Sequence, residues 1–210
     1  MTNYMSNKLI IKNLECFREE RTIFQRLSCE IESNQTMLVR GKNGSGKTSF
    51  LRLVAGYLKN YNGKVLFNDN DLQQNNEPLT DFRFIGQKNS LKDNLTVRKN
   101  IEMWQLIYHT KKDINKIVDL LDIRMLLNKD INTLSDGQKK RVSLSRLLIS
   151  KAKVWLLDEP LVYLDLNKVK LLQDIILQHN DTGGITLYTS NTNIDLNYDH
   201  LINMDDYAIL

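Results

Sequence analysis

Cysteine is scarce in this chain of 210 residues, which has only Cys16 and Cys29. Two thiols are too few for the disulfide framework of a small secreted scaffold, and both read as reduced, partly buried hydrophobes. The three histidines, His109, His179 and His200, stand apart from one another and from the cysteines, which argues against a zinc site. Proline occurs only at Pro78 and Pro160, and no stretch reads as an interdomain linker. No apolar run approaches the roughly 18 residues that span a bilayer. The opening run MTNYMSNKLIIKN lacks the charged-then-apolar pattern of a secretory signal. Charge of one sign is in small excess, 29 Lys and Arg against 25 Asp and Glu, a net +4. That is too little to argue for nucleic acid or anionic lipid, and no nucleic-acid partner is expected.

What is present is an ordinary globular composition, 41% hydrophobic and 26% charged, at the length of one domain. Such a chain can bury a core without staples. Leu9 to Leu14 is a β-prone run, and Leu27, Cys29 and Ile31 alternate with polar residues at the strand period. Met37-Leu38-Val39 leads into Gly41, and a helix is predicted over Thr48 to Leu58. A hairpin-like region spans Gly63 to Leu72, with turn formers at Asn68-Asp69-Asn70-Asp71. Ile101, Trp104 and Tyr108 share one helical face, as do Ile114, Ile117, Val118 and Leu121, and these stripes read as core. Further helices are predicted from about Gln138 to Ile149 and from Leu164 to Gln178. Val154 to Leu157 and Ile185 to Thr189 read as buried strands. Strands alternating with helices predict an α/β fold with a mainly parallel sheet.

The strongest local signal is Gly41-Lys42-Asn43-Gly44-Ser45-Gly46-Lys47-Thr48, which fits the P-loop pattern G-x-x-x-x-G-K-[ST]. Glycines let a backbone wrap a phosphate with its N–H groups inward, and the following helix offers its positive end to the anion. Lys47 would reach the β- and γ-phosphates and the Thr48 hydroxyl would ligate Mg²⁺; Ser49 adjoins this cradle. A second element, Val154-Trp155-Leu156-Leu157-Asp158-Glu159-Pro160, ends a buried run in two acids. Asp158 suits a magnesium-holding carboxylate, and Glu159 is placed to orient and polarise an attacking water. A P-loop alone leaves kinases, GTPases and transport ATPases open. No guanine-reading Asn-Lys-x-Asp run is present.

Between these elements, Leu134-Ser135-Asp136-Gly137-Gln138-Lys139-Lys140-Arg141 is a polar turn with Ser135 as a natural N-cap. In order and spacing, the three elements together resemble the P-loop, signature motif and acidic strand end of the ABC ATPases. Gln87 matches the family's Q-loop glutamine, a link to Mg²⁺ and water, and Tyr163-Leu164-Asp165 resembles its D-loop. Phe17 stands where the family places an adenine-stacking aromatic. The resemblance covers nearly the whole chain. Within it, Leu14 to Arg21, Ile85 to Lys92, Leu95 to Asn100 and Arg141 to Ser150 resemble the ATP-binding subunits of cytochrome c maturation, also described as haem exporters.

This resemblance implies an α/β P-loop NTPase fold with a RecA-like core sheet, a small antiparallel β subdomain and an inserted α-helical subdomain. Approximately 1–90 and 151–210 would form the core with its antiparallel part, and approximately 91–150 the helical subdomain. It implies ATP and Mg²⁺ as ligands, and a homodimer in which Ser135, Gly137 and Gln138 of one copy cover the other's ATP. It also implies integral membrane subunits of the cytochrome c maturation type (CcmB- and CcmC-like), met by the segment from about Leu91 to Asn132. Membrane association would be peripheral, on the cytoplasmic face of a bacterial inner membrane or the matrix side of a mitochondrial one. The work done would be haem export or release of a haem-carrier complex.

Two departures stand out. The family usually has a histidine after the strand that follows the acidic pair, where this chain has Thr189-Ser190-Asn191, and Ser190 takes the position in this reading. A hydroxyl can donate a hydrogen bond but cannot carry an imidazolium charge, which implies slow hydrolysis or substitution by Asn191. The signature motif usually has a small residue where Asp136 stands, and a carboxylate there repels triphosphate unless it turns away. These departures leave a clamp that binds ATP with little hydrolysis as the alternative to an Mg-ATPase.

Overall fold

The structure, a computed structural model, describes residues 6–19, 21–59, 61–72, 74, 79–192 and 194–209. Glu20, within the run Leu14 to Arg21, and Pro78 lie outside the described residues. Two sheets organise the chain. The first is antiparallel and takes β1 (Lys8–Arg18), β2 (Arg21–Glu32), β4 (Tyr61–Phe67) and the two-residue β5 (Asn70–Asp71), in the order β2-β1-β4-β5. Asn68 and Asp69 join β4 to β5 with φ of 50° and 64°. Both are left-handed, the geometry a tight hairpin turn demands and one that Asn and Asp tolerate.

The second sheet is parallel throughout. It contains β3 (Thr36–Arg40), β6 (Phe82–Ile85), β7 (Val154–Leu157), β8 (Ile185–Thr189) and β9 (His200–Asn203), in the order β6-β7-β8-β3-β9. Its central strands are apolar because both faces are covered. Alternate residues serve opposite sides. Met37, Val39, Val154, Leu156, Ile185 and Leu187 pack with the antiparallel sheet and with α1 (Lys47–Val54). Leu38, Trp155, Leu157 and Tyr188 pack on the other face. That face is covered by α2 (Val97–Ile107), α3 (Ile114–Leu120), α4 (Asp136–Ile149) and α5 (Leu166–Asp181), through Ile101, Val118, Leu147, Leu172 and Ile176.

Boundaries differ from the sequence pattern for local reasons. The helix α1 stops at Val54 instead of Leu58, because Gly56 takes φ 74° just past the C-cap and its N–H turns back to the Leu53 carbonyl. The helix α5 starts at Leu166, since the Asp165 side chain caps it by accepting from the Lys168 N–H at 3.0 Å. The edge strand β9 was not anticipated. It has four residues and only Ile202 is buried, so it carries little apolar signal.

A buried polar triad fastens α5 to the sheet. Asn180 Nδ2 donates to Thr36 Oγ1 at 2.8 Å, and Asn180 Oδ1 accepts from Thr186 Oγ1 at 3.1 Å. Asn180→Ala leaves two buried hydroxyls without this partner. It is expected to cost about 2 kcal/mol, read as a lower urea midpoint with an unchanged m-value.

Candidate active site

In a parallel sheet the C-terminal ends of neighbouring strands open on one side, and here β8 lies between β3 and β7. The glycine loop after β3, the acidic pair after β7 and the residues after β8 therefore meet at one edge. The loop 41–46 runs into α1 with Gly41 and Gly46 at φ of 144° and 98°. A Cβ at Gly46 would lie 2.8 Å from the side chains of Ile23 and Phe24. The loop needs glycine there for both its backbone angle and its contact with the β1–β2 hairpin. Phe17 is half-buried near the tip of that hairpin, across from Thr22.

The side chains of the loop are held within it. Lys47, almost fully buried, donates from Nζ to the carbonyls of Gly41 at 2.7 Å and Lys42 at 3.1 Å. Its ammonium thus lies inside the curl of the loop. The backbone N–H of Lys42 is taken by Asp205 Oδ1 at 3.0 Å, a contact from the turn after β9. Ser45 Oγ is buried without a partner, whereas Lys42, Asn43 and Gly44 are exposed at the mouth. Ser49 is half-buried in the first turn of α1.

Asp158 is the centre of the site and is 1% exposed. Thr48 Oγ1 lies 3.0 Å from both of its oxygens, and Thr189 Oγ1 donates to Oδ1 at 3.0 Å. Thr189 also accepts the N–H of Glu159 at 2.8 Å. Glu159 takes the left-handed backbone angle φ 50°, which turns its side chain out of the strand line. Its Oε2 accepts the backbone N–H of Asn191 at 3.1 Å, while Oε1 is buried with no partner. Burial pushes the Glu159 carboxyl up from its ordinary range, the N–H of Asn191 and then Lys47 oppose this, Asp158 adds to it, and Lys140 opposes it.

The hydroxyl of Thr48 and the carboxylate of Asp158 form the hard oxygen set that Mg²⁺ prefers, and Mg²⁺ commonly takes only one or two protein groups beside phosphate oxygens. Among the described residues no cluster of three His, Cys, Asp or Glu side chains could hold a metal unaided. Gln87 is exposed two residues beyond β6, and its side chain has no hydrogen bond to Thr48, Asp158 or Glu159 among the described residues. The strand it follows is tied to the site by the Asp158 N–H, which donates to the Ile85 carbonyl at 2.8 Å.

Among the described residues Ser190 has no side-chain hydrogen bond to Asp158, Glu159 or the glycine loop. It is 3% exposed, and its hydroxyl is paired with that of Thr192 at 3.1 Å. Asn191 makes the connection instead, with its Nδ2 donating to Asn43 Oδ1 at 2.9 Å. Sequence reasoning also passed over Thr189. A hydroxyl at the end of a strand lying between the two motif-bearing strands was the available signal. Lys140, inside the Leu134 to Arg141 run but given no role there, is a buried lysine on α4.

The signature residues stand at the start of α4. Ser135 Oγ accepts the Gln138 N–H at 3.3 Å, and Gln138 Oε1 accepts the Ser135 N–H at 3.1 Å, a reciprocal capping box. The cap thus occupies the Gln138 side chain. None of Ser135, Gly137 and Gln138 is hydrogen-bonded to the glycine loop of its own chain. A Cβ at Gly137 would sit 2.6 Å from the Tyr163 carbonyl, so the loop after Glu159 packs directly on this helix end.

A glycine loop after β3, joined through Thr48 to a buried acid at the end of β7, defines a P-loop NTPase. A sequence description of the ABC transporter family matches residues 24–162, and the chain belongs to that family as an ABC-type ATPase. Among its relatives is the cytochrome c biogenesis ATP-binding export protein CcmA of Wolbachia pipientis wMel, 36% identical over 88% of this chain and 89% of that protein. The protein of the same name from Haemophilus influenzae is 32% identical over 97% of this chain and 98% of its own length. A solved structure, a putative ABC transporter ATP-binding protein from Pyrococcus furiosus, superposes with a TM-score of 0.82 at 26% identity, covering 96% of this chain and all of that one (100%). The fold is accordingly the α/β ABC ATPase fold, with a parallel core sheet and an antiparallel sheet against it.

Lys140 gives the site a measurable pH signature. It is 2% exposed, and burial pulls its ammonium down to about 8 against the attraction of Asp158 and Glu159. Between about 8 and the free-lysine value of 10.5 the unfolded chain holds a proton that the folded chain lacks, so stability rises with pH across that window. Lys140→Met is expected to be more stable than wild type at pH 7, by up to about 3 kcal/mol. The advantage should fade as pH reaches the free-lysine value, as urea unfolding at several pH values would show.

Proposed function

We propose that this chain is the ATP-binding subunit of a membrane complex of cytochrome c biogenesis, hydrolysing ATP to drive haem export or release of a haem-carrier complex. The observation that carries the catalytic part is the Glu159 carboxylate, held through Oε2 by Asn191 while Oε1 is buried and unpartnered beside Asp158. The names of the CcmA relatives support the biological setting.

In this reading the N–H groups of residues 41–48 and the ammonium of Lys47 cradle the phosphates, and Lys47 leaves the Gly41 and Lys42 carbonyls for phosphate oxygens. Phe17 stacks on adenine. Thr48 and Asp158 hold Mg²⁺, with Gln87 completing its surroundings, and Mg²⁺ supplies charge neutralisation at the β- and γ-phosphates. Glu159 Oε1 accepts a hydrogen bond, and then a proton, from the water that attacks the γ-phosphate. Ser135, Gly137 and the N-terminal end of α4, with Gln138 holding the cap, meet the γ-phosphate bound by a second copy, so two ATP molecules lie between two chains. Closure follows from the higher affinity of ATP for the paired state, and separation follows loss of the bridging phosphate.

Residues of about 91–150 form the helical subdomain in this reading and meet the membrane subunits, which are of the CcmB and CcmC type. Leu106, Ile107 and Met125 are exposed there at 77%, 52% and 87%. Ile107 also lines a cavity of about 1060 Å³ that lies away from the glycine loop, together with Tyr57, Arg83 and Tyr108. Among the described residues no helix is long and apolar enough to cross a membrane, so attachment is through partners, on the ATP-containing side.

A second reading, an ATP-operated clamp with little turnover, is favoured by Asp136, exposed in the first turn of α4 and without an ion pair among the described residues. Phosphate release by the protein with its membrane partners separates the two. Glu159→Gln is expected to lower release at least about 100-fold, and equal release from both proteins would leave only the clamp. Lys47→Ala is expected to abolish saturable binding of Mg-ATP.

Asp136 also yields an expectation of its own. Its charge favours the isolated helix end but opposes triphosphate on a partner. In a Glu159→Gln background, Asp136→Asn is expected to tighten ATP-dependent dimerisation by about tenfold at low salt, with a smaller gain at high salt, as analytical ultracentrifugation would reveal.

A further inference from the structure

We propose that Asn191, not Ser190, is the side chain beyond β8 that reads the terminal phosphate of the nucleotide. The inference deepens the function proposed above and rests on it. Ser190 is committed elsewhere. Besides its pairing with the Thr192 hydroxyl, its Oγ accepts the Thr192 N–H at 3.2 Å, closing a local turn. Its near-complete burial leaves it no free approach to the mouth of the cradle.

Asn191 is exposed and joined to both halves of the site. Its backbone N–H holds Glu159 Oε2 at 3.1 Å, and its Nδ2 donates to Asn43 Oδ1 of the glycine loop at 2.9 Å. Asn43 is a neutral acceptor on the loop that would wrap the phosphates. A hydrogen bond to an ionised acceptor is roughly twice as strong as one between neutral groups, so a phosphate oxygen arriving at that mouth outcompetes Asn43 for the carboxamide. The exchange takes place on the same residue whose backbone fixes the base. The backbone N–H of Asn191 holds Glu159 Oε2 while the carboxamide is still on Asn43, so the base is already positioned before the exchange.

The loop carrying Asn191 has a second anchor that does not need to move. Arg40, the residue before Gly41, is ion-paired with Asp195. The carboxamide can change partner while this pair keeps the loop beside the cradle. A carboxamide has donors and an acceptor but does not titrate. The phosphate is therefore sensed here without the protonation step that an imidazole would bring to the same place.

The test compares affinity for a non-hydrolysable β,γ-substituted ATP analogue with affinity for ADP, both with Mg²⁺, by calorimetry. Asn191→Ala is expected to weaken the analogue about tenfold while ADP stays within about twofold, and retained ADP binding shows that the variant is folded. Ser190→Ala is expected to change the ratio less. Asn191→His should introduce a preference for the analogue that falls as pH rises through the imidazole range, relative to wild type measured alongside. The proposal is overturned if Asn191→Ala weakens both nucleotides equally, if it leaves the ratio unchanged, or if Ser190→Ala has the larger effect. Wild-type protein that binds neither nucleotide would remove the underlying function as well. Normal wild-type binding with an indifferent Asn191→Ala would remove this assignment alone.

Discussion

A carboxylate buried to the degree of Asp158 is costly unless every part of its charge is answered by hydrogen bonds or counter-charge. Thr48 supplies one hydroxyl from the start of α1, and Thr189 supplies another from the end of β8. Those two contacts bring three chain segments together: the helix after the glycine loop, the acidic strand end, and the strand between them. The parallel strand order makes this possible, because β8 separates β3 from β7 and all three open at the same edge. Thr189 then passes the constraint on by accepting the Glu159 N–H, which holds that residue in its left-handed turn. The position of the candidate base thus follows from how the neighbouring acid is satisfied.

The helix α4 serves two places at once. Its first turn carries Ser135 and Gly137 outward, with the capping box fixing the entry angle and Gly137 letting the Tyr163 carbonyl approach. One turn further on, Lys140 is buried within reach of the charges of Asp158 and Glu159. A shift of α4 along or about its axis would therefore alter both the outward face and the field at the hydrolytic acids.

Much of the architecture was legible where a signal is local. The P-loop glycines, the apolar run ending in Asp158-Glu159, and the helical stripes of α2 and α3 each carry their pattern within a few residues. Helix ends were less legible because a single glycine at 56, or an aspartate cap at 165, overrides a continuing apolar stripe. The strand β9 was missed because it is a short edge strand with one buried side chain. In the candidate site, residue types were readable but directions were not. Ser190 and Asn191 are adjacent, both polar and both follow β8, and only the turn closed by Thr192 decides which one faces Asn43. Thr189 was hidden for a related reason. A threonine in a strand is ordinary by propensity, and its importance comes from neighbours 30 and 31 residues away in sequence.

The same geometry says why one chain is an incomplete machine in the proposed reading. The glycine loop and the acidic pair lie at the end of the parallel sheet, whereas the outward end of α4 has no hydrogen bond to that loop. Tyr163, 67% exposed, borders this helix end, with its own carbonyl against Gly137, and Leu166, 69% exposed, opens α5 three residues further on. At Tyr163 an exposed aromatic side chain is held at a left-handed backbone angle, φ 68°, which the needs of the isolated fold do not explain. In the proposed reading Tyr163 and Leu166 border the surface that a second copy completes. In that arrangement the triphosphate is a shared ligand, and its terminal phosphate is the part held by both chains. A side chain that distinguishes ATP from ADP then governs pairing and bond cleavage together, because the phosphate that closes the interface is the one whose bond is broken.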